Sequence, residues 1–103
     1  MRCRRCNPVP EEVRAIARIL ERRWTLSILY ASGEGAERFN EFRAALGRVP
    51  PATLAARLSE LVDAGLFERR VLDTRPPAVE YRLTSEGKRL APILRELARW
   101  SRI

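Results

Sequence analysis

The stretch that decides the fold is RVPPATLAARLSELVDAGLFERR, residues 48–70. Two prolines stand before a helical pattern, and Pro51 takes a first-turn position, where its missing N–H costs nothing. Leu54, Leu58 and Leu61 recur at i, i+4 and i+7 with Ala55 and Val62 beside them, which predicts one core-facing stripe. The outer face carries Ala52, Thr53, Ala56, Arg57 and Glu60. Small residues at the N-terminal end, followed by one long donor, let such a helix sit deep in the major groove of DNA, with these five as its candidate contacts. Alone, the pattern equally fits an ordinary amphipathic surface helix. Gly65 ends it.

The flanking segments turn the balance. In ERFNEFRAALGRV (37–49), Arg38 and Phe39 read as a short extended piece and Asn40 as the N-cap of a helix burying Phe42, Ala45 and Leu46 and stopping at Gly47. Only Arg48, Val49 and Pro50 separate it from the leucine helix, a connection of helix-turn-helix length. Downstream, LFERRVLD (66–73) and VEYRL (79–83) alternate as two strands, with Phe67, Arg69 and Val71 on one face and Val79, Tyr81 and Leu83 on the matching one. Between them TRPPA (74–78) forms a proline-stiffened tip that holds Arg75 out. The expected fold is mostly α with a small β-hairpin, a winged helix-turn-helix. Arg75 becomes a candidate for the minor groove or its phosphates, and Arg69 and Arg70 for the adjacent backbone.

Pro10, Glu11 and Glu12 open a first helix over 10–21, with Val13, Ile16, Ala17 and Leu20 as its apolar stripe. In a second segment Trp24, Ile28 and Ala31 share a face, which Leu26 and Leu29 broaden into a well-buried helix ended by Gly33 and Gly35. Thr84 is expected to cap one continuous last helix, 85–101, with Leu90, Ile93, Leu94, Leu97 and Trp100 in line and Pro92 near enough to its start to cost little. A chain of 103 residues does not readily bury both terminal stripes within itself. The surplus predicts a homodimer through Val13, Ile16, Leu20, Leu90, Ile93, Leu94, Leu97 and Trp100. Two-fold pairing would set two recognition helices about 34 Å apart, as a palindromic site requires. The organisation expected is one domain, 1–103: a tail over 1–9, dimerisation helices over 10–21 and 85–101, and a winged helix core over 24–83.

The formal net charge is +7, and of 20 basic residues Lys88 is the one lysine. This favours a polyanionic partner, double-stranded DNA before a membrane, because no apolar run approaches the roughly 20 residues of a span. Arginine also grips phosphate and guanine bidentately, although a GC-rich coding bias would produce the same content. The chain has no histidine, which removes the commonest general base and most metal sites. With no glycine-rich phosphate loop and no nucleophile–base set either, an enzyme has no support. No cofactor, resident metal or particular small-molecule effector is indicated.

The N-terminal MRCRRCNPVP is basic but lacks an apolar h-region, so the expected location is the cytoplasm, where Cys3 and Cys6 fit best as thiols. Arg2, Arg4 and Arg5 favour the reactive thiolate, which makes Cys6 a candidate oxidant sensor and Cys3 its resolving partner. Inert tail thiols, or a zinc site shared across a dimer to reach four ligands, remain open. The alternative function is a winged helix module for protein partners, which weak salt dependence of DNA affinity would favour.

The chain resembles the HxlR family of bacterial winged helix regulators. The resemblance is carried by Cys6-Asn7-Pro8, RWTLSIL (23–29), RFNEFRAAL (38–46), TLAARLSELVDAGLFERRV (53–71), PPAVEYRLTSEG (76–87) and a terminal helix ending in tryptophan. Each piece is weak singly, but their order and spacing are specific. The resemblance implies a dimeric, cytosolic transcriptional regulator whose first and last helices build the dimer and whose recognition helix reads DNA. It also implies an N-terminal cysteine that senses oxidants or electrophiles, as in some members. Two departures stand out: Arg22-Arg23 where the family has Gly-Lys, and Pro50 where it caps the recognition helix with serine. Pro50 offers no side-chain oxygen to the helix's free amides, which bears on the contacts of Ala52 and Thr53.

Overall fold

The computed structural model describes residues 7–102. Eight elements follow one another: α1 (Glu11–Leu20), α2 (Thr25–Gly33), α3 (Phe39–Leu46), α4 (Pro51–Asp63), β1 (Phe67–Leu72), β2 (Ala78–Leu83), α5 (Ser85–Lys88) and α6 (Ala91–Ser101). α2, α3 and α4 surround a core of Ile28, Leu29, Phe42, Leu54, Leu58 and Leu61, which Phe67 of β1 closes from the hairpin side. The Phe42 and Phe67 rings meet tilted, with centroids 6.0 Å apart. That distance lies in the range favoured by aromatic pairs.

α4 takes the expected leucine stripe and ends in a two-bond glycine motif. Leu66 N–H donates to the Leu61 carbonyl and Gly65 N–H to that of Val62, both at 3.0 Å. Gly65 sits at φ 79°, the left-handed conformation this motif needs and side chains resist. β1 and β2 pair antiparallel with Phe67 opposite Leu83, Arg69 opposite Tyr81 and Val71 opposite Val79, as the alternation predicts. The mostly helical fold with one antiparallel hairpin is that of a winged helix.

Several local expectations are corrected. The last helix is not continuous: α5 stops at Lys88, and Arg89 and Leu90 donate to the carbonyls of Glu86 and Gly87 in tighter turns before α6 begins. Pro92 explains the break. It lacks the N–H that would reach the Lys88 carbonyl, and its ring crowds that oxygen. Thr84 does cap α5, accepting from Gly87 N–H at 3.1 Å. Arg38 is extended, at φ −105° and ψ 152°, but Phe39 already opens α3. The link to the hairpin is Tyr81 N–H donating to the Glu37 carbonyl at 2.7 Å.

Asn40 is therefore inside the first turn of α3. The start of that helix is satisfied instead by Glu41, whose carboxylate accepts from the N–H groups of Glu37 and Arg38, each at 2.9 Å. Those two donors hold the Glu41 carboxyl below its usual range. Leu26, Ala45 and Ala55 are exposed rather than buried, because α2, α3 and α4 each have one side without a packed neighbour. The second helix starts at Thr25, and Trp24 before it adopts a left-handed φ of 80°.

Among the described residues no helix is long and apolar enough to cross a membrane. The chain is elongated, 62 × 31 × 26 Å, with a radius of gyration of 16.1 Å, against about 13 Å for a compact domain of this size. α1 accounts for part of the excess, since none of its residues is fully buried.

Candidate nucleic-acid interface

α4 is set by its leucines so that Ala52, Ala56 and Glu60 lie exposed on its outer side and Thr53 half-buried. Pro50 precedes the helix in extended conformation without any side-chain cap, and Leu54 N–H is the first to find a carbonyl, that of Pro50 at 2.9 Å. Pro51 has no N–H. The amides of Ala52 and Thr53 thus stand at the positive end of the helix dipole without a capping side chain, a geometry that suits an anionic phosphate.

Arg57 does not join the outer face. Its Nε donates to the Arg23 carbonyl at 3.0 Å and its Nη1 to Glu60 at 3.1 Å, leaving its side chain only 15% exposed. The same Glu60 oxygen accepts from Arg22 at 3.1 Å. An arginine stem packed along its own helix reaches these acceptors at little cost, and the charge-assisted bonds then fix it. The Arg22 side chain supplies a cation to Glu60 and the backbone of residue 23 a carbonyl to Arg57, and together they brace α4 against the turn between α1 and α2. Arg23 also covers the Trp24 ring, 5.0 Å from its centroid, within cation–π range. The bracing was not readable in the sequence, since its partners lie 34 and 38 residues apart.

The hairpin carries the other candidates. Arg69, Arg70 and Arg75 are all exposed, Arg75 in the loop joining the strands. Arg69 pairs across to Tyr81 and Arg70 to Glu80. As strand neighbours they point to opposite faces, so a single flat surface cannot present both. Arg82 on β2 is held by Glu37 at 2.8 Å and Glu80 at 3.1 Å. The attraction of those two carboxylates, Glu80 before Glu37, raises its already high pKa and commits its charge to the fold.

The terminal helices distribute their apolar residues unequally. Val13, Ile16, Ile93, Leu97 and Trp100 are exposed, Trp100 at 69%. Leu94 is a correction: at 8% exposure it belongs to the core of its own chain, because the turn imposed by Pro92 directs it onto α2. Leu20 and Leu90 are partly buried against that core. Cys3 and Cys6 lie outside the described residues. No group of three potential metal ligands occurs among the described residues.

Comparison with known proteins agrees with this geometry. The profile of the HxlR-like helix-turn-helix family matches residues 19–103. The HTH-type transcriptional regulator YvaP of Bacillus subtilis (strain 168) is 41% identical over 83 residues, covering 81% of this chain and 77% of that one. The HTH-type transcriptional regulator Rv3095 of Mycobacterium tuberculosis (strain ATCC 25618 / H37Rv) is 39% identical over 92 residues, covering 86% of this chain and 58% of its own. Among solved structures, the redox regulator HypR in its oxidized form superposes with a TM-score of 0.81 at 32% identity, covering 88% of this chain and 94% of that one. The reduced form of the transcriptional regulator YodB from B. subtilis gives a TM-score of 0.78 at 29% identity, covering 90% and 91%.

Proposed function

Because the chain belongs to the HxlR-like helix-turn-helix family, we propose that it is a transcriptional regulator that binds a palindromic DNA operator as a homodimer in the cytoplasm. The observation that carries this reading is the outer side of α4. Small residues stand there beside two uncapped amides, next to a hairpin that exposes Arg69, Arg70 and Arg75, on a chain of net charge +7. α4 enters the major groove with Ala52, Thr53, Ala56 and Glu60 toward the bases. The amides of Ala52 and Thr53 take a backbone phosphate. Arg57 acts as a positioning residue that fixes the depth and tilt of α4, in place of the direct contact expected from its spacing alone. Arg75 reaches the minor groove or its phosphates, and Arg69 and Arg70 take phosphates from opposite faces of the hairpin.

The dimer forms through the exposed residues of α1 and α6, namely Val13, Ile16, Ile93, Leu97 and Trp100, with Leu20 and Leu90 beneath them. Oxidation of Cys6, with Cys3 or a second subunit's thiol as partner, modulates DNA binding. The arginines around these cysteines and the likeness to the redox regulator HypR support this part. The test is binding of the reduced protein to the DNA flanking its own gene, with excess random duplex as competitor and salt varied. Competitor-resistant binding that falls steeply with salt is the expected result. Binding lost equally to random DNA would overturn specific recognition, and affinity indifferent to salt would point to a protein partner instead.

A further inference from the structure

Two arginines in the turn between α1 and α2 are anchored yet leave donors unused. Arg22 spends one Nη on Glu60 of α4, at 3.1 Å, and its side chain stays 53% exposed. Arg57, on the same Glu60 oxygen, is by contrast only 15% exposed and finds a second acceptor in the Arg23 carbonyl. A guanidinium carries five N–H donors, so Arg22 keeps most of its fork for an acceptor outside the chain. Arg23 is exposed and in no salt bridge among the described residues. Its Cζ lies over the Trp24 ring, 5.0 Å from the centroid. Contact through the guanidinium face leaves the N–H edges in its plane, the geometry in which arginine grips an oxyanion with two bonds.

The place of the pair beside α4 says what the oxyanion is. The row Ala52, Ala56 and Glu60 advances about 40° around the helix axis with each step of four residues. Glu60 therefore stands nearer than Ala52 to the flank that meets the α1–α2 turn. A helix with its side chains, about 10–12 Å across, fills a major groove about 12 Å wide. With α4 in the groove, whatever is bonded to its flank lies at the rim, and the rim is lined by phosphates. A lone carboxylate there would be repelled. Arg22 and Arg57 outweigh Glu60 by one positive charge, and Arg23 adds another beside them.

On the DNA-binding reading above, we propose that Arg22 and Arg23 form a clamp for the phosphate backbone at the rim of the groove that α4 enters. Its ligand is the sugar–phosphate strand of duplex DNA, without regard to base. Because Glu60 joins the clamp to α4, the phosphate contact and the reading face are held in one register. Arg57 holds the helix from within the protein, and Arg22 fixes it to the strand from outside.

The clamp is tested on the full-length reduced protein, with the DNA flanking its own gene and with a random duplex, by titration at several salt concentrations. Arg22→Ala and Arg23→Ala should each reduce the salt slope of log affinity by about 1, and the double variant by about 2. The two duplexes should lose affinity by the same severalfold factor. Arg23→Ala keeps the carbonyl that Arg57 uses, so its effect is separate from the bracing of α4. Arg22→Lys and Arg23→Lys keep the charge and should keep the slope. A slope unchanged in the double alanine variant overturns the clamp even where affinity falls, because a brace acts on affinity without releasing counterions. An unsubstituted protein whose binding is indifferent to salt overturns the DNA-binding reading and the clamp together.

Discussion

The Arg57 guanidinium donates to the Arg23 carbonyl at 3.0 Å. The long donor of α4 is thereby turned toward the body of the protein. Replacing Arg57 with alanine removes this bond and the one to Glu60, at a cost of about 1–3 kcal/mol in stability. DNA affinity should weaken similarly on matched and mismatched sites. Denaturant unfolding and competition binding measure the two effects. Loss confined to one base pair of the operator, with stability unchanged, would restore Arg57 as a base reader.

Gly87 has no room for a side chain. A Cβ there would lie 2.3 Å from the Leu66 carbonyl oxygen and 2.9 Å from Leu83 Cδ2. Gly87→Ala should destabilise by about 1–3 kcal/mol or more, since the nearer contact is backbone. Gly33→Ala is the control, where the nearest atom is Ala91 Cβ at 3.8 Å. There the helix should gain up to about 1 kcal/mol. Unfolding midpoints of the two variants should move in opposite directions.

Arg75 lies in the exposed loop of the hairpin. Arg75→Ala should weaken binding to all sequences alike and reduce the salt slope of log affinity by about 1, as the loss of one phosphate contact requires. Titration at several salt concentrations gives the slope. An unchanged slope would remove Arg75 from the contact set.

The depressed pKa of Glu41 ties the start of α3 to pH. A carboxyl whose folded pKa lies below its unfolded one stabilises the protein above the unfolded value, near 4.5, and loses that contribution as pH falls through the lowered one. The gap in stability between the unsubstituted chain and Glu41→Ala should therefore be full at neutral pH and shrink as acidification proceeds below that value. A gap constant through acidification would show that the carboxylate's charge is not what caps the helix.

Leu97 and Leu94 stand one turn apart on α6 with opposite surroundings, exposed and buried respectively. Leu97→Asp should give a folded monomer by sedimentation, with a melting transition of normal cooperativity. Leu94→Asp should fail to fold, since it places a charge in the core. A dimeric Leu97→Asp would move the interface away from this part of α6.

What the sequence revealed depended on how local each cause was. The leucine spacing of α4, its terminal Gly65 and the alternation of Phe67 with Val71 act within a few residues, and the structure keeps all three. Pro92 is visible in the sequence, but the apolar stripe runs straight through it, and only the backbone count shows that the Lys88 carbonyl loses its partner. Leu26 looks like core in any periodicity; its exposure follows from which neighbours α2 acquires. The same holds for the candidate site. The small outer residues of α4 follow from helical phase, whereas the bracing of Arg57 and the link from Glu37 to Arg82 join positions 34 and 45 residues apart.

Thr84 has one further consequence. Its hydroxyl donates to the Gly65 carbonyl at 2.6 Å and accepts from Gly87 N–H at 3.1 Å, while its own N–H donates to the Leu66 carbonyl at 3.0 Å. A single threonine therefore rivets the exit of α4, the return of β2 and the entry of α5 into one joint.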